Sequence, residues 1–225
     1  VLLNPDGGGI SLFTTTRLVY ATPNEWLNRY FYDTVFDKIN NLPQRLGDIY
    51  VGTKNKFALN SADANYRKFA LLGDPALRLS YPQMNIITDS VNGIAVSSFS
   101  DTINALSVVR VSGHVEDLNG QKLSDFNGFV YSKIFDKIST LSTLGTNAGS
   151  NPASFDVWKN QIYKGKSTVV NGEFNFEFIV PQDISFDYGN SRFSFYAEDG
   201  ELDANGFTES ILIGGINANA SLDDQ

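Results

Sequence analysis

Cysteine is absent from this 225-residue chain, and histidine occurs once, as His114. Without a thiol these residues hold no thiolate nucleophile, no disulfide and no thiolate metal site. With one histidine, any Ser/His or metal constellation within them has to be built on His114. A basic block is also missing. The 17 Lys and Arg are outnumbered by 25 Asp and Glu, and the net charge of −8 is spread along the chain. A polyphosphate backbone is repelled by such a surface, so nucleic acid is set aside as a partner. No stretch approaches the ~20 consecutive apolar residues of a spanning helix, so no transmembrane segment is expected. The first residues also lack the charged start and apolar run of a leader.

What is present divides into two halves with different hydrophobic periods. TPNEWLNRYFYDTVFDKINN begins with Thr22 as a cap, Pro23 at the first helical position and Glu25 three residues after the cap. Leu27, Phe31, Val35 and Ile39 recur every four residues, with Trp26 and Tyr30 beside them, which predicts a helix of about five turns. A second helix is expected over RLGDIYVGTKNKFAL, ended by NSADAN. RKFALLGDPALRLSYP then reads as strand, Gly-Asp-Pro turn, strand. After Tyr81-Pro82 the helical period vanishes. Short segments rich in β-branched and aromatic residues follow, separated by Asn119-Gly120, Asn171-Gly172 and Asn205-Gly206. Phe174, Phe176, Phe178 and Val180 alternate with Glu173, Asn175, Glu177 and Ile179, which stacks phenylalanines on one sheet face. The fold class expected is α+β: mixed α/β structure over 1–82, an antiparallel β-sandwich of immunoglobulin-like type over 83–217, and a linker to a further segment over 218–225.

Several stretches invite a chemical reading. Gly7–Gly9 precede a strand rather than link a strand to a helix, and no Lys-Ser follows, so a phosphate loop is disfavoured against a flexible entry to a buried strand. His114 stands between Val111 and Val115 with Glu116 two residues on, and packing or a surface hydrogen bond is favoured over catalysis or metal binding. Asp199, Glu201, Asp203 and Asn205 are spaced like oxygen ligands for calcium. The EF-hand pattern fails, however, at Ala204 and Ser210, and a polar hairpin closed by Asn205-Gly206 is preferred. Asp74 before Pro75 reads as a turn rather than a reactive acid. No metal or other cofactor is expected.

GGGISLFTTTRLVYATPNEWLNRYF, KFALLGDPALRL and GKSTVVNGEFNFEFIVPQDI together resemble the gingipain-type cysteine peptidases, and more closely the PorU-like sortases of the type IX secretion system. The resemblance implies the end of a caspase-like catalytic domain over 1–82, followed by the immunoglobulin-like domain. It makes Gly9–Tyr20 the strand after the catalytic cysteine, and sets Gly73-Asp74-Pro75 at the close of the catalytic domain. The family's cysteine and histidine fall before Val1, so the chain is expected to be a cut piece of that domain, inert alone, its partner being the upstream part. Thr15, Thr16, Arg17 and Tyr20 are then the substrate-binding residues, lining the pocket for the side chain before the scissile bond. The blander reading makes Thr14–Arg17 a strand end, with Arg17 a salt-bridge partner.

By the same resemblance the parent is a cell-surface, outer-membrane-associated hydrolase that removes C-terminal secretion signals from exported cargo. Its partners would be those cargo proteins and secretion-system components. The alternative, from the aromatic-rich half, is a non-catalytic adhesion or carbohydrate-binding module, for which Trp158, Tyr163 and Tyr188 are the candidate surface rings.

Overall fold

A computed structural model describes residues 8–40 and 42–217. The start of the glycine run at Gly7 and the linker expected over 218–225 lie outside them. The chain forms two compact units, Val1–Tyr81 and Pro82–Gln225. Its class is α+β, with strands far outnumbering helices.

In the first unit, β1 (Ser11–Thr15) leads to α1 (Ala21–Val35), a short hairpin of β2 (Lys38–Ile39) and β3 (Leu42–Pro43), α2 (Leu46–Asn60), a 3₁₀ turn (Ala64–Lys68) and β4 (Phe69–Gly73). β1 and β4 pair antiparallel, Ser11 opposite Gly73 through Thr15 opposite Phe69. Alternation puts Phe13, Leu71 and Phe69 on one face, where Phe13 meets Phe31 and Tyr50 at 5.9 and 5.2 Å, and Leu71 packs against Val35, Leu46 and Ile49. Ile10, Leu12 and Leu72 are exposed. The strand expected to be buried is therefore covered on one side only.

Both helices expected from the sequence are present, with corrected ends. α1 is capped by Tyr20 rather than Thr22, and the cap residue's own side chain makes no capping hydrogen bond. Pro23 is tolerated at the third helical position because that N–H has no intrahelical acceptor. The helix stops at Val35, a turn before Ile39, which belongs to β2 and is exposed. The buried Gln44 side chain donates to the carbonyls of Thr34 and Asp37, satisfying the helix end from ten and seven residues away. The strand expected after Gly-Asp-Pro is absent: only an isolated bridge links Arg78 to Arg45. Instead the Pro75 and Leu77 carbonyls accept from the first N–H groups of α2, Gly47 and Leu46, at 2.9 and 2.8 Å. Gly47 allows that approach, since a β-carbon there would stand 3.0 Å from Pro75.

The second unit is formed by β5 (Met84–Val91), β6 (Ile94–Ala95), β7 (Thr102–Ala105), β8 (Val108–Glu116), β9 (Gly128–Phe135), β10 (Ser139–Ser142), β11 (Ser154–Val157), β12 (Gln161–Val169), β13 (Glu173–Ile179), β14 (Gly189–Asn190), β15 (Arg192–Glu198), β16 (Asp203–Thr208) and β17 (Leu212–Ile216). The large sheet runs β12-β9-β15-β16-β5-β8-β13, with β6 beside β5; a second sheet runs β14-β17-β7, and β10 and β11 pair as a separate ribbon. Most neighbours are antiparallel as the turn signals require, but β16 joins β5 and β17 joins β7 in parallel, which corrects the all-antiparallel expectation. Parallel neighbours cannot be joined by a hairpin, so these pairings unite segments distant in sequence.

The phenylalanine ladder holds the two ends of the large sheet together. Phe174, Phe176 and Phe178 on β13 are buried and stack at 6.4 and 6.3 Å along the strand. Across the core they meet Phe195 and Phe193 of β15, while Tyr163 of β12 stacks on Phe176 at 5.3 Å and Phe178 at 4.8 Å. Burial pushes the Tyr163 phenol above its ordinary pKa. Phe195, 3% exposed, touches two of the three rungs. Phe195→Ala is expected to lower the second unit's unfolding free energy by about 3–5 kcal/mol, read by urea unfolding.

Candidate substrate-contact site

The four residues singled out as substrate-binding lie together, at the end of β1 and in the loop that enters α1. Thr16 is tied across the sheet: its N–H and its hydroxyl both donate to the Lys68 carbonyl, at 2.8 and 2.9 Å. The Thr15 hydroxyl donates to the Arg17 carbonyl. Arg17 is exposed and forms no ion pair among the described residues, so the salt-bridge reading finds no partner there. Tyr20 is exposed, and the Lys68 ammonium stands 5.0 Å from its ring centre.

The residue that organises this loop carried no sequence signal. Asn65, in the 3₁₀ turn, is 1% exposed. Its side-chain oxygen accepts from the Tyr20 N–H at 3.2 Å, its amide nitrogen donates to Asn24 Oδ1 at 2.7 Å, and its backbone N–H donates to Asp63 Oδ1 at 2.6 Å. One buried amide thus joins the loop, the first turn of α1 and the 3₁₀ turn. A polar residue in NSADAN reads locally as a helix stop, and only the 45-residue return to Tyr20 gives it a second role.

Beside the loop, a cavity of about 250 Å³ is lined by Phe13 and Thr15 of β1, Phe69 of β4, and Asn24, Leu27, Asn28 and Phe31 of α1. Its walls are aromatic and aliphatic with two amides and a hydroxyl, and no lining residue is charged. It is suited to an uncharged side chain. The edge of β1 that faces away from β4 pairs with no strand among the described residues. Since Thr16 bonds to Lys68, the antiparallel alternation turns the main-chain groups of Ser11, Phe13 and Thr15 toward that edge. The corresponding edge of β4 is occupied at Phe69, whose carbonyl accepts from Tyr50 Oη and Lys54 Nζ.

The other candidates resolve differently. His114 Nδ1 lies 2.8 Å from Asp89 Oδ1 and its Nε2 lies 3.5 Å from Glu116 Oε2. Asp89 reaches it because a bulge interrupts β5 between Thr88 and Ser90. The Asp199 carboxylate turns back on its own loop and accepts from the N–H groups of Glu201 and Leu202. The hairpin turn lies at 199–202, and Asn205-Gly206 sits within β16 opposite Tyr196 and Phe195, which corrects the turn expected there. Glycine is needed at 206 because a β-carbon would stand 2.0 Å from the Ile86 carbonyl oxygen. Asp74 Oδ1 accepts from the Ala76 N–H and closes a turn. Of the three rings proposed for a glycan surface, Tyr163 belongs to the core, Trp158 lies under the Arg192 guanidinium at 4.9 Å, and Tyr188 is exposed.

Asn65→Ala is expected to cost the first unit about 1–3 kcal/mol, because the Tyr20 N–H and the Asn24 side chain lose a buried partner. Hydrogen exchange should show the Tyr20 amide accelerated more than those of Ile49 and Thr53 in α2.

Residues 1–80 match the family model described as Peptidase family C25. Among solved structures the chain is similar to dimeric latent PorU from Porphyromonas gingivalis, at 26% identity over 95% of this chain and 20% of that one, with a TM-score of 0.56. The chain thus spans about a fifth of that protein's length. The sporulation control protein Spo0M from Bacillus subtilis is matched at 13% identity over 59% of this chain and 49% of its own, with a TM-score of 0.33. A β-glucosidase from Listeria innocua is matched at 14% identity over 62% and 17%, with a TM-score of 0.25. At those scores neither bears on the fold. No curated protein matches. The chain is thus similar to the family C25 peptidases over its first eighty residues and to PorU over nearly all of its own length. No helix among the described residues is long and apolar enough to cross a membrane.

Proposed function

We propose that this chain is part of a gingipain-type cysteine peptidase that works as a sortase, removing C-terminal secretion signals from cargo exported through a type IX system and passing the new end to a surface anchor. Residues 1–82 are the end of its caspase-like catalytic domain, and 83–217 an immunoglobulin-like sandwich. In this reading the protein works at the cell surface, associated with the outer membrane. The observation that carries this reading is the coincidence of the family match over residues 1–80 with the unit that holds the Thr15–Tyr20 loop and the cavity beside it.

The nucleophile and its base come from elsewhere in the protein. None of the 225 residues is cysteine, and both ring nitrogens of His114 face carboxylates in the other unit. The free edge of β1 suits a further strand of the same domain, which would satisfy the main-chain groups of Ser11, Phe13 and Thr15. Within that frame the residues of this chain bind rather than react. Thr15, Thr16, Arg17 and Tyr20 hold the residue before the scissile bond, and holding it in register with an external thiolate is what lowers the barrier.

The test is kinetic. In the complete protein, Tyr20→Ala is expected to raise KM for a signal-bearing cargo about tenfold, with kcat nearly unchanged, as removal of a ground-state contact does. The 225-residue chain alone should hydrolyse no peptide. Turnover by that chain, or an unchanged KM in the variant, would reject the proposal.

A further inference from the structure

The chain carries a net charge of −8, yet three cations at this loop, Arg17, Arg67 and Lys68, form no ion pair with a carboxylate among the described residues. Arg17 follows Thr16, and Thr16 is bonded to the Lys68 carbonyl, so the ladder brings Arg17 to the same end of the sheet as Arg67 and Lys68. Elsewhere in this unit Arg29 pairs with Glu25, Arg45 with Asp48 and Lys56 with Asp37, while Lys54 donates to Tyr50 Oη and the Phe69 carbonyl and Arg78 to the Pro43 carbonyl. At the loop two of the three cations lie on aromatic rings instead. Arg67 lies over Tyr66 at 5.6 Å and Lys68 over Tyr20 at 5.0 Å. The nearest carboxylate in sequence, Asp63, is engaged by the Asn65 N–H as the cap of the 3₁₀ turn. Like charges gathered at one end of a small unit repel one another, and an anion brought to them relieves the repulsion.

We infer that the ligand of this site is an acidic polypeptide segment, carrying one or more carboxylates beside an uncharged side chain. Arg17, Arg67 and Lys68 meet the carboxylates, and the cavity of about 250 Å³ between Phe13, Leu27, Phe31 and Phe69 takes the uncharged neighbour. A repeating polyanion has no side chain to place in that cavity, which favours a peptide. The inference rests on the reading of the Thr15–Tyr20 loop as a substrate contact, and adds the substrate's charge to it.

Two fluorescein-labelled decapeptides, one alternating Glu with Ala and the other Gln with Ala, are titrated against the complete protein and followed by anisotropy. The Glu peptide should bind about tenfold tighter at low ionic strength, the combined effect of several solvent-screened contacts. The difference should shrink at high salt and disappear in the Arg17→Gln, Arg67→Gln, Lys68→Gln triple variant. If that variant does not fold, the exposed Arg17→Gln alone should reduce the preference about threefold. Equal binding of the two peptides overturns the inference, as does a preference that survives in these variants. Competition by heparin or anionic vesicles as strong as by unlabelled Glu peptide also overturns it, because the site is then a general anion surface. A lost preference with the Tyr20→Ala effect on KM intact rejects this inference alone. A preserved preference with KM unaffected by Tyr20→Ala rejects the catalytic reading instead.

Discussion

The first unit depends on one long-range event, the antiparallel pairing of Ser11–Thr15 with Phe69–Gly73. Closing that loop costs chain entropy before any contact repays it. The return comes from the face the pairing creates, where Phe13, Phe69 and Leu71 meet the apolar sides of both helices. The same pairing sets the Thr16 to Lys68 bond, and through it the position of the loop, the cavity and the three cations. Everything proposed for the site is therefore downstream of a single register.

In the second unit the organising element is a row of rings rather than a register. β13 lies at one end of the large sheet and β12 at the other, yet Tyr163 of β12 stacks on Phe176 and Phe178 of β13. The sheet has to curl for those rings to meet, and burying them drives the curl. The outer surface is managed differently. Lys166 lies over Phe129 at 3.6 Å, and Arg192 over Phe207 at 4.4 Å, so long cationic side chains cover rings left on the solvent side.

Local periodicity was a good guide wherever the partner of a residue is close in sequence or the same face repeats. The four-residue period located α1, and alternation located the phenylalanine rungs of β13. It failed where the deciding partner is remote. Ile39 continues the helical period, but Gln44 folds back to satisfy the helix end, and the chain leaves the helix at Val35. Asn205-Gly206 has the composition of a turn, but its glycine serves the close passage of β16 over Ile86. No local pattern singles out Thr15, Thr16, Arg17 and Tyr20; they are proposed as substrate contacts on family resemblance alone. Asn65, Lys68 and the cavity-lining Asn24 and Asn28 were not legible at all, because each acquires its role from a contact made across the unit.

The curl of the large sheet leaves a mark on which sequences can encode it. The Tyr163 hydroxyl lies over Gly165 so closely that a β-carbon at 165 would stand 2.0 Å from it. Any larger residue there must evict the ring, and eviction removes the stacking that draws β12 toward β13. Positions 163 and 165 are thus a single hereditary choice. A lineage that enlarges 165 has to shrink 163 in the same step, or pass through an intermediate whose sheet ends have come apart.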